Sequence, residues 1–117
     1  RYMNTSDETL PPLAAIEYIH KHFKEEISIN HLCDLEHLSP TAFRIIFKKH
    51  TGLSPNEYII LQRINVACSL LKQSDISIKA VAEEVGYTDP YYFSRIFSKK
   101  IGMSPFKYRS KSREDAL

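Results

Sequence analysis

FRIIFKKHTGLSPNEY, residues 43–58, is written twice: fifty positions on, residues 93–108 read FSRIFSKKIGMSPFKY. Eight of the sixteen aligned positions are identical: Phe43/Phe93, Ile46/Ile96, Phe47/Phe97, Lys49/Lys99, Gly52/Gly102, Ser54/Ser104, Pro55/Pro105 and Tyr58/Tyr108. A repeat of that strength is one supersecondary unit used twice, and it governs how the flanking sequence is read. In each copy the apolar residues recur at i, i+3, i+4 (Phe43, Ile46, Phe47; Phe93, Ile96, Phe97), which gathers them on one helix face. A glycine then ends the helix. Ser-Pro starts the next, since Ser caps a helix and Pro suits its first position.

Outward from the first copy, Ser39-Pro40 opens a helix that runs to about Thr51. Ser28 caps a shorter one through Leu38, with Ile29, Leu32, Cys33 and Leu35 as its apolar side. Pro11 and Pro12 precede a helix near 11–25, in which Leu13, Ile16, Ile19 and Phe23 keep the helical period. Downstream, Ser54-Pro55-Asn56-Glu57 supplies a cap, a first-turn Pro and the Glu of a capping box. The helix it opens, about 55–73, is apolar over much of its circumference (Tyr58, Leu61, Ile64, Ala67, Cys68, Leu71), so it is expected to be covered on more than one side.

The second copy follows the same order. Ser77 caps a helix through Val85, Gly86 turns the chain, Asp89-Pro90 opens the next helix and Gly102 ends it. Ser104-Pro105 begins a short last helix around 105–110. No strand-type alternation occurs. The expected fold is all-α, with about seven helices. Its organisation is a leader or linker at 1–10, a first subdomain at 11–54, a connecting helix at 55–73, a second subdomain at 74–110 and a tail at 111–117. The polar start, opening on Arg1 without Met, suggests a C-terminal piece of a longer protein.

The totals narrow the function. At 117 residues and 43% hydrophobic content the chain can bury a modest core. No run approaches the roughly 18 apolar residues of a membrane span, and no signal peptide opens the sequence, so a cytoplasmic protein is expected. Cys33 and Cys68 sit in helical patterns without framework spacing and read as buried, reduced thiols. The net charge of +2 is segregated. Residues 39–51 hold Arg44, Lys48 and Lys49 with no acid, and residues 88–113 hold seven basic residues against Asp89, which leaves −7 for the remainder. Basic charge gathered on both repeats is how an anionic partner would be addressed, although a solvated basic face is the plainer alternative.

Each repeat is a short helix, a tight turn and a second helix, the outline of a helix-turn-helix. Opposite the apolar face, the second helix carries a stripe at i, i+3, i+4, i+7: Thr41, Arg44, Ile45 and Lys48 in one copy, Tyr91, Ser94, Arg95 and Ser98 in the other. Arg grips guanine through two parallel hydrogen bonds, Ser and Thr bond several bases, and Tyr or Ile can touch a thymine methyl. A lone surface Arg is more often merely solvated. Its presence on the outer stripe of both copies favours DNA contact. Lys49, Lys99 and Lys100 lie beside the apolar face, where phosphate is the nearer target. Phe43, Phe47, Phe93 and Phe97 read as core rather than as stacking platforms.

Other chemistry is poorly supported. His31, Cys33 and His37 offer metal-ligating groups, but only two of them converge easily and no fourth ligand is evident. Glu83 and Glu84 are adjacent and point apart on a helix. No phosphate loop, nucleophile elbow or cofactor motif occurs, so no enzyme, metal or cofactor is expected. A helical protein-interaction module remains the rival. It would place exposed apolar residues on the stripes, which instead carry mainly Arg, Lys, Ser and Thr.

The run AVAEEVGYTDPYYFSRIFSKKIGMSPFKYR, residues 80–109, resembles the signature of the AraC/XylS transcription regulators, and the likeness extends over roughly residues 13–110. The resemblance implies homeodomain-like three-helix units, two helix-turn-helix subdomains joined by the helix 55–73, and recognition helices 40–51 and 90–101 in successive major grooves of double-stranded DNA. A 19-residue helix of roughly 28 Å is compatible with the ~34 Å of one DNA turn. The implied base contacts are Thr41, Arg44, Ile45, Pro90, Tyr91, Ser94 and Arg95, with Lys48, Lys49, Ser98, Lys99 and Lys100 on phosphates. RNA polymerase is the implied protein partner. The DNA-binding part is expected to be monomeric, with dimerisation left to any effector domain of the full-length protein. Two departures stand out: Ile45 where the family often has Arg, and His37 where the second repeat has Gly86. The second turn is also one residue longer, with seven steps from Gly86 to Phe93 against six from His37 to Phe43.

Overall fold

A computed structural model describes residues 10–116, and among these it forms seven α-helices and no strand. They are α1 (Leu13–His22), α2 (Ile29–Glu36), α3 (Pro40–Thr51), α4 (Pro55–Gln73), α5 (Ile78–Glu84), α6 (Pro90–Ile101) and α7 (Pro105–Asp115). The chain divides into two units between Ile60 and Leu61, within α4. The expected leader falls almost wholly outside the described residues.

In the first unit α1, α2, α3 and the start of α4 enclose Ala15, Ile19, Leu32, Cys33, Phe43, Phe47 and Ile59. Ser28 accepts from the His31 amide and Ser39 from the Ala42 amide, so both helices of the turn motif begin where their hydroxyls cap them. Pro12 gives α1 no side-chain cap, and the free amide of Ala15 instead donates to Glu36 Oε2 at 2.9 Å. A carboxylate from the end of α2 thus answers the partial positive charge at the start of α1.

In the second unit the rest of α4 with α5, α6 and α7 buries Ile64, Ala67, Leu71, Val81, Ala82, Val85, Tyr87, Phe93 and Phe97. The repeated residues do the same work in both units. Phe43 lies against Phe47 with 5.5 Å between ring centroids, and Phe47 meets Tyr58 edge-on at 5.3 Å. Phe93 and Phe97 are 5.8 Å apart, and Phe97 meets Tyr108 edge-on at 5.5 Å. Removing one such fully buried ring costs about 3–5 kcal/mol. Gly52 (φ 79°) and Gly102 (φ 92°) end α3 and α6 in the left-handed conformation, each amide donating at 2.8 Å to the carbonyl four residues back. Ser54 and Glu57 complete the reciprocal capping box, with Ser54 N–H to Oε1 at 2.9 Å and Glu57 N–H to Oγ at 3.2 Å.

Four helix ends differ from the sequence reading. α1 stops at His22, because the chain turns there and half-buries Phe23 and Ile27 against the first core. α2 stops at Glu36 rather than Leu38, because His37 takes the left-handed conformation (φ 57°, ψ 41°). α5 ends one residue early, with Val85 as its cap ahead of Gly86 at φ 103°. α7 runs on to Asp115 instead of ending near residue 110. Its basic residues are held by the end of α4: Arg109 Nε donates to Leu71 O at 3.0 Å, Arg113 Nη2 to Ser74 O at 2.7 Å, and Arg113 Nη1 lies 2.7 Å from Asp75. These arginines answer the carbonyls at a helix C-terminus and so leave the count of basic groups free for a partner.

Both cysteines are free, Cys33 buried and Cys68 half-buried. Burial pushes the Cys68 thiol up, against a hydrogen bond from Tyr108 and the charge of Lys72, so it is poorly nucleophilic. No described helix is long and apolar enough to cross a membrane.

Candidate nucleic-acid interface

The two turn motifs close in the same way despite their different residues. His37 N–H donates to Asp34 O at 3.2 Å and Leu38 N–H to Cys33 O at 3.0 Å. Gly86 N–H donates to Glu83 O at 3.1 Å and Tyr87 N–H to Ala82 O at 2.9 Å. His37 is the only non-glycine residue at positive φ among the described residues, so an L residue holds a conformation that its counterpart fills with Gly. The extra residue of the second turn is absorbed between Tyr87 and Asp89, whose carboxylate accepts from the Tyr91 amide at 2.9 Å to start α6.

Those turns fix which side of each second helix faces solvent. On α3, Phe43 and Phe47 have no exposed surface, whereas Thr41, Arg44, Ile45, Lys48 and Lys49 are exposed, Ile45 at 64%. On α6, Phe93 and Phe97 are fully buried, whereas Tyr91 (81% exposed), Arg95, Lys99 and Lys100 reach solvent. Pro90, Ser94 and Ser98 are half-buried and form the margin of that surface. A bare isoleucine and a bare tyrosine cost solvation that a groove with thymine methyls would return. Among the described residues no acid pairs with Arg44 or Arg95. Lys48, Lys49, Lys99 and Lys100 also lie in the last turns of their helices, where the helix dipole favours cations.

The candidate metal ligands are dispersed in role. His31 meets the Tyr18 ring at 4.7 Å, Cys33 belongs to the core, and His37 is the exposed turn residue. Among the described residues no group of three or more His, Cys, Asp or Glu is placed to hold an ion.

The sequence reading passed over two residues: Tyr92, exposed on the second surface, and Arg63, half-buried behind the turn. Tyr92 carries the Arg95 guanidinium 5.7 Å from its ring centroid, and Arg63 on α4 stands 4.9 Å from the ring of Tyr87. Burial raises the Tyr87 phenol above its ordinary range, with the Arg63 charge acting the other way. The i, i+3 spacing of Tyr92 and Arg95 was the one available signal for the first pair.

Comparison with known proteins agrees with this geometry. A family model described as a helix-turn-helix domain matches residues 32–111. The MmsAB operon regulatory protein of Pseudomonas aeruginosa is 38% identical over 97 residues, covering 83% of this chain and 32% of that protein. Among solved structures, the DNA-binding domain of AdpA, a global transcriptional factor crystallised with a target DNA, superposes with a TM-score of 0.82 at 28% identity, covering 90% of this chain and 95% of that one. The C-terminal domain of AraT, a response regulator from Geobacillus stearothermophilus, gives 0.79 at 31% identity, covering 86% and 84%. The chain thus spans about a third of the MmsAB regulator, against 95% and 84% of the two isolated domains. With its doubled turn motif, its paired aromatic cores and these relatives, the chain belongs to the AraC/XylS family of transcription regulators and carries their helix-turn-helix DNA-binding domain.

Proposed function

We propose that this chain binds double-stranded DNA in a sequence-specific manner and regulates transcription, with α3 and α6 each reading a segment of major groove in one continuous site. The observation that carries the reading is the two-sidedness of both helices. The same aromatic face is buried in each, and the outward face holds an Arg, small hydroxyls, a bare apolar side chain and lysines. The likeness to a domain crystallised with its target DNA supports it. Thr41, Arg44, Ile45, Pro90, Tyr91, Ser94 and Arg95 are assigned to base edges, and Lys48, Lys49, Ser98, Lys99 and Lys100 to phosphates.

On this reading the chain catalyses nothing, acts where the DNA is, in the cytoplasm, and binds as a monomeric unit. Its protein partner is RNA polymerase, in keeping with a relative named for the operon it regulates. Binding of duplex DNA measured between 50 and 200 mM salt tests the reading. Neutralising about four to six phosphates should lower affinity by roughly 10²- to 10³-fold over that range. Affinity that barely changes with salt would remove the phosphate assignments.

A further inference from the structure

The second unit contains a stack of side chains for which the first has no counterpart, and its outer end is Arg95, taken here as a base contact on the reading just proposed. From α4, Arg63 places its guanidinium carbon 4.9 Å from the Tyr87 ring centroid and its Nη1 3.5 Å from Gly86 O. Tyr87, only 8% exposed, stands 5.9 Å from Tyr92 and 5.7 Å from Phe93, centroid to centroid. Tyr92, 45% exposed, lies under the Arg95 guanidinium at 5.7 Å. The order Arg63–Tyr87–Tyr92–Arg95 runs from the linking helix, through the turn, to the outer face of α6. Its middle, Tyr87, is fixed by burial. Its outer end is in solvent.

We propose that Tyr92 is a positioning residue that holds Arg95 ready to read a base. An exposed Arg samples many rotamers, and ordering it on DNA costs entropy that prior ordering avoids. An aromatic face attracts the guanidinium without using its in-plane N–H groups, so the fork that grips guanine O6 and N7 stays free. A carboxylate partner would order the same Arg by occupying those donors. Tyr92 is itself backed by Tyr87, so the ring is a fixed platform rather than a second mobile group. In the first repeat Ala42 stands where Tyr92 does, Ile45 where Arg95 does and Leu38 where Tyr87 does, so no such stack can form. The two halves of the bound site are therefore read unequally. The half under α6 is the more stringent, and its stringency depends on a residue that touches no base.

The test is a double-mutant cycle on discrimination, taken as the ratio of affinities for a site selected from random duplexes and for that site altered at its α6 half. Arg95→Ala should reduce the ratio. Tyr92→Leu should reduce it by roughly 3- to 30-fold, the scale of a cation–π contact, and Tyr92→Phe should restore it. In the Arg95→Ala background Tyr92→Leu should change nothing further. Thermal melting of each protein reports any loss of fold separately, and Tyr92→Gln replaces the Leu variant if that one unfolds. Discrimination that survives Tyr92→Leu while Arg95→Ala destroys it would overturn the positioning role alone, as would an equal loss in both backgrounds. Discrimination that survives Arg95→Ala would instead remove the base-contact reading beneath it.

Discussion

His37 shows how much a single backbone position can carry. Its turn needs φ near +57°, a region that costs an L residue about 1–2 kcal/mol, and the equivalent turn places Gly86 there. His37→Gly should therefore raise stability by up to about 1 kcal/mol, part of the relieved strain being offset by the greater freedom of Gly in the unfolded chain. A denaturant midpoint measured on both proteins checks this, and a lower midpoint for the variant would mean that the imidazole holds the turn together. The strain was legible in the sequence, because alignment of the two copies sets His against Gly. The Tyr92–Arg95 contact was not, since a residue's spacing names its neighbours but its rotamer chooses among them. For the same reason charge counting places Arg109 and Arg113 with the basic surface, whereas their guanidinium groups bond the carbonyls of Leu71 and Ser74.

At the scale of the element, helix starts were far more legible than helix ends. The helices opened by Ser39-Pro40, Ser54-Pro55, Asp89-Pro90 and Ser104-Pro105 begin where cap chemistry places them, because a start is decided by a few local residues. The end of α7 is decided elsewhere. Residues 110–115 carry no apolar period, and the last turn is held by the Arg113 bonds to Ser74 and Asp75. Arg113→Ala should speed amide exchange across the final turn of α7 and cost at most about 1 kcal/mol globally, since its ion pair is solvent-exposed. Arg109→Ala should cost more, because its bond to Leu71 O is half-buried. Unchanged exchange in the Arg113 variant would show that the final turn does not depend on Arg113.

Across the whole molecule, the identical residues and the varying residues of the repeat divide the labour. Phe43, Phe47, Gly52, Ser54, Pro55 and Tyr58, with their copies, build the same core and the same caps in each unit. Thr41, Arg44 and Ile45 differ from Tyr91, Ser94 and Arg95, and these are the positions turned outward or to the margin of the surface. The scaffold was legible because internal repetition exposes it without any knowledge of function. The reading surface was legible only as the complement of the buried face. Two unlike recognition helices that read one DNA site should leave their mark in selection from a random duplex library. The expected result is a single continuous motif with two dissimilar blocks about 10–10.5 base pairs apart, centre to centre. Enrichment of one short block alone, or of no sequence at all, would contradict it.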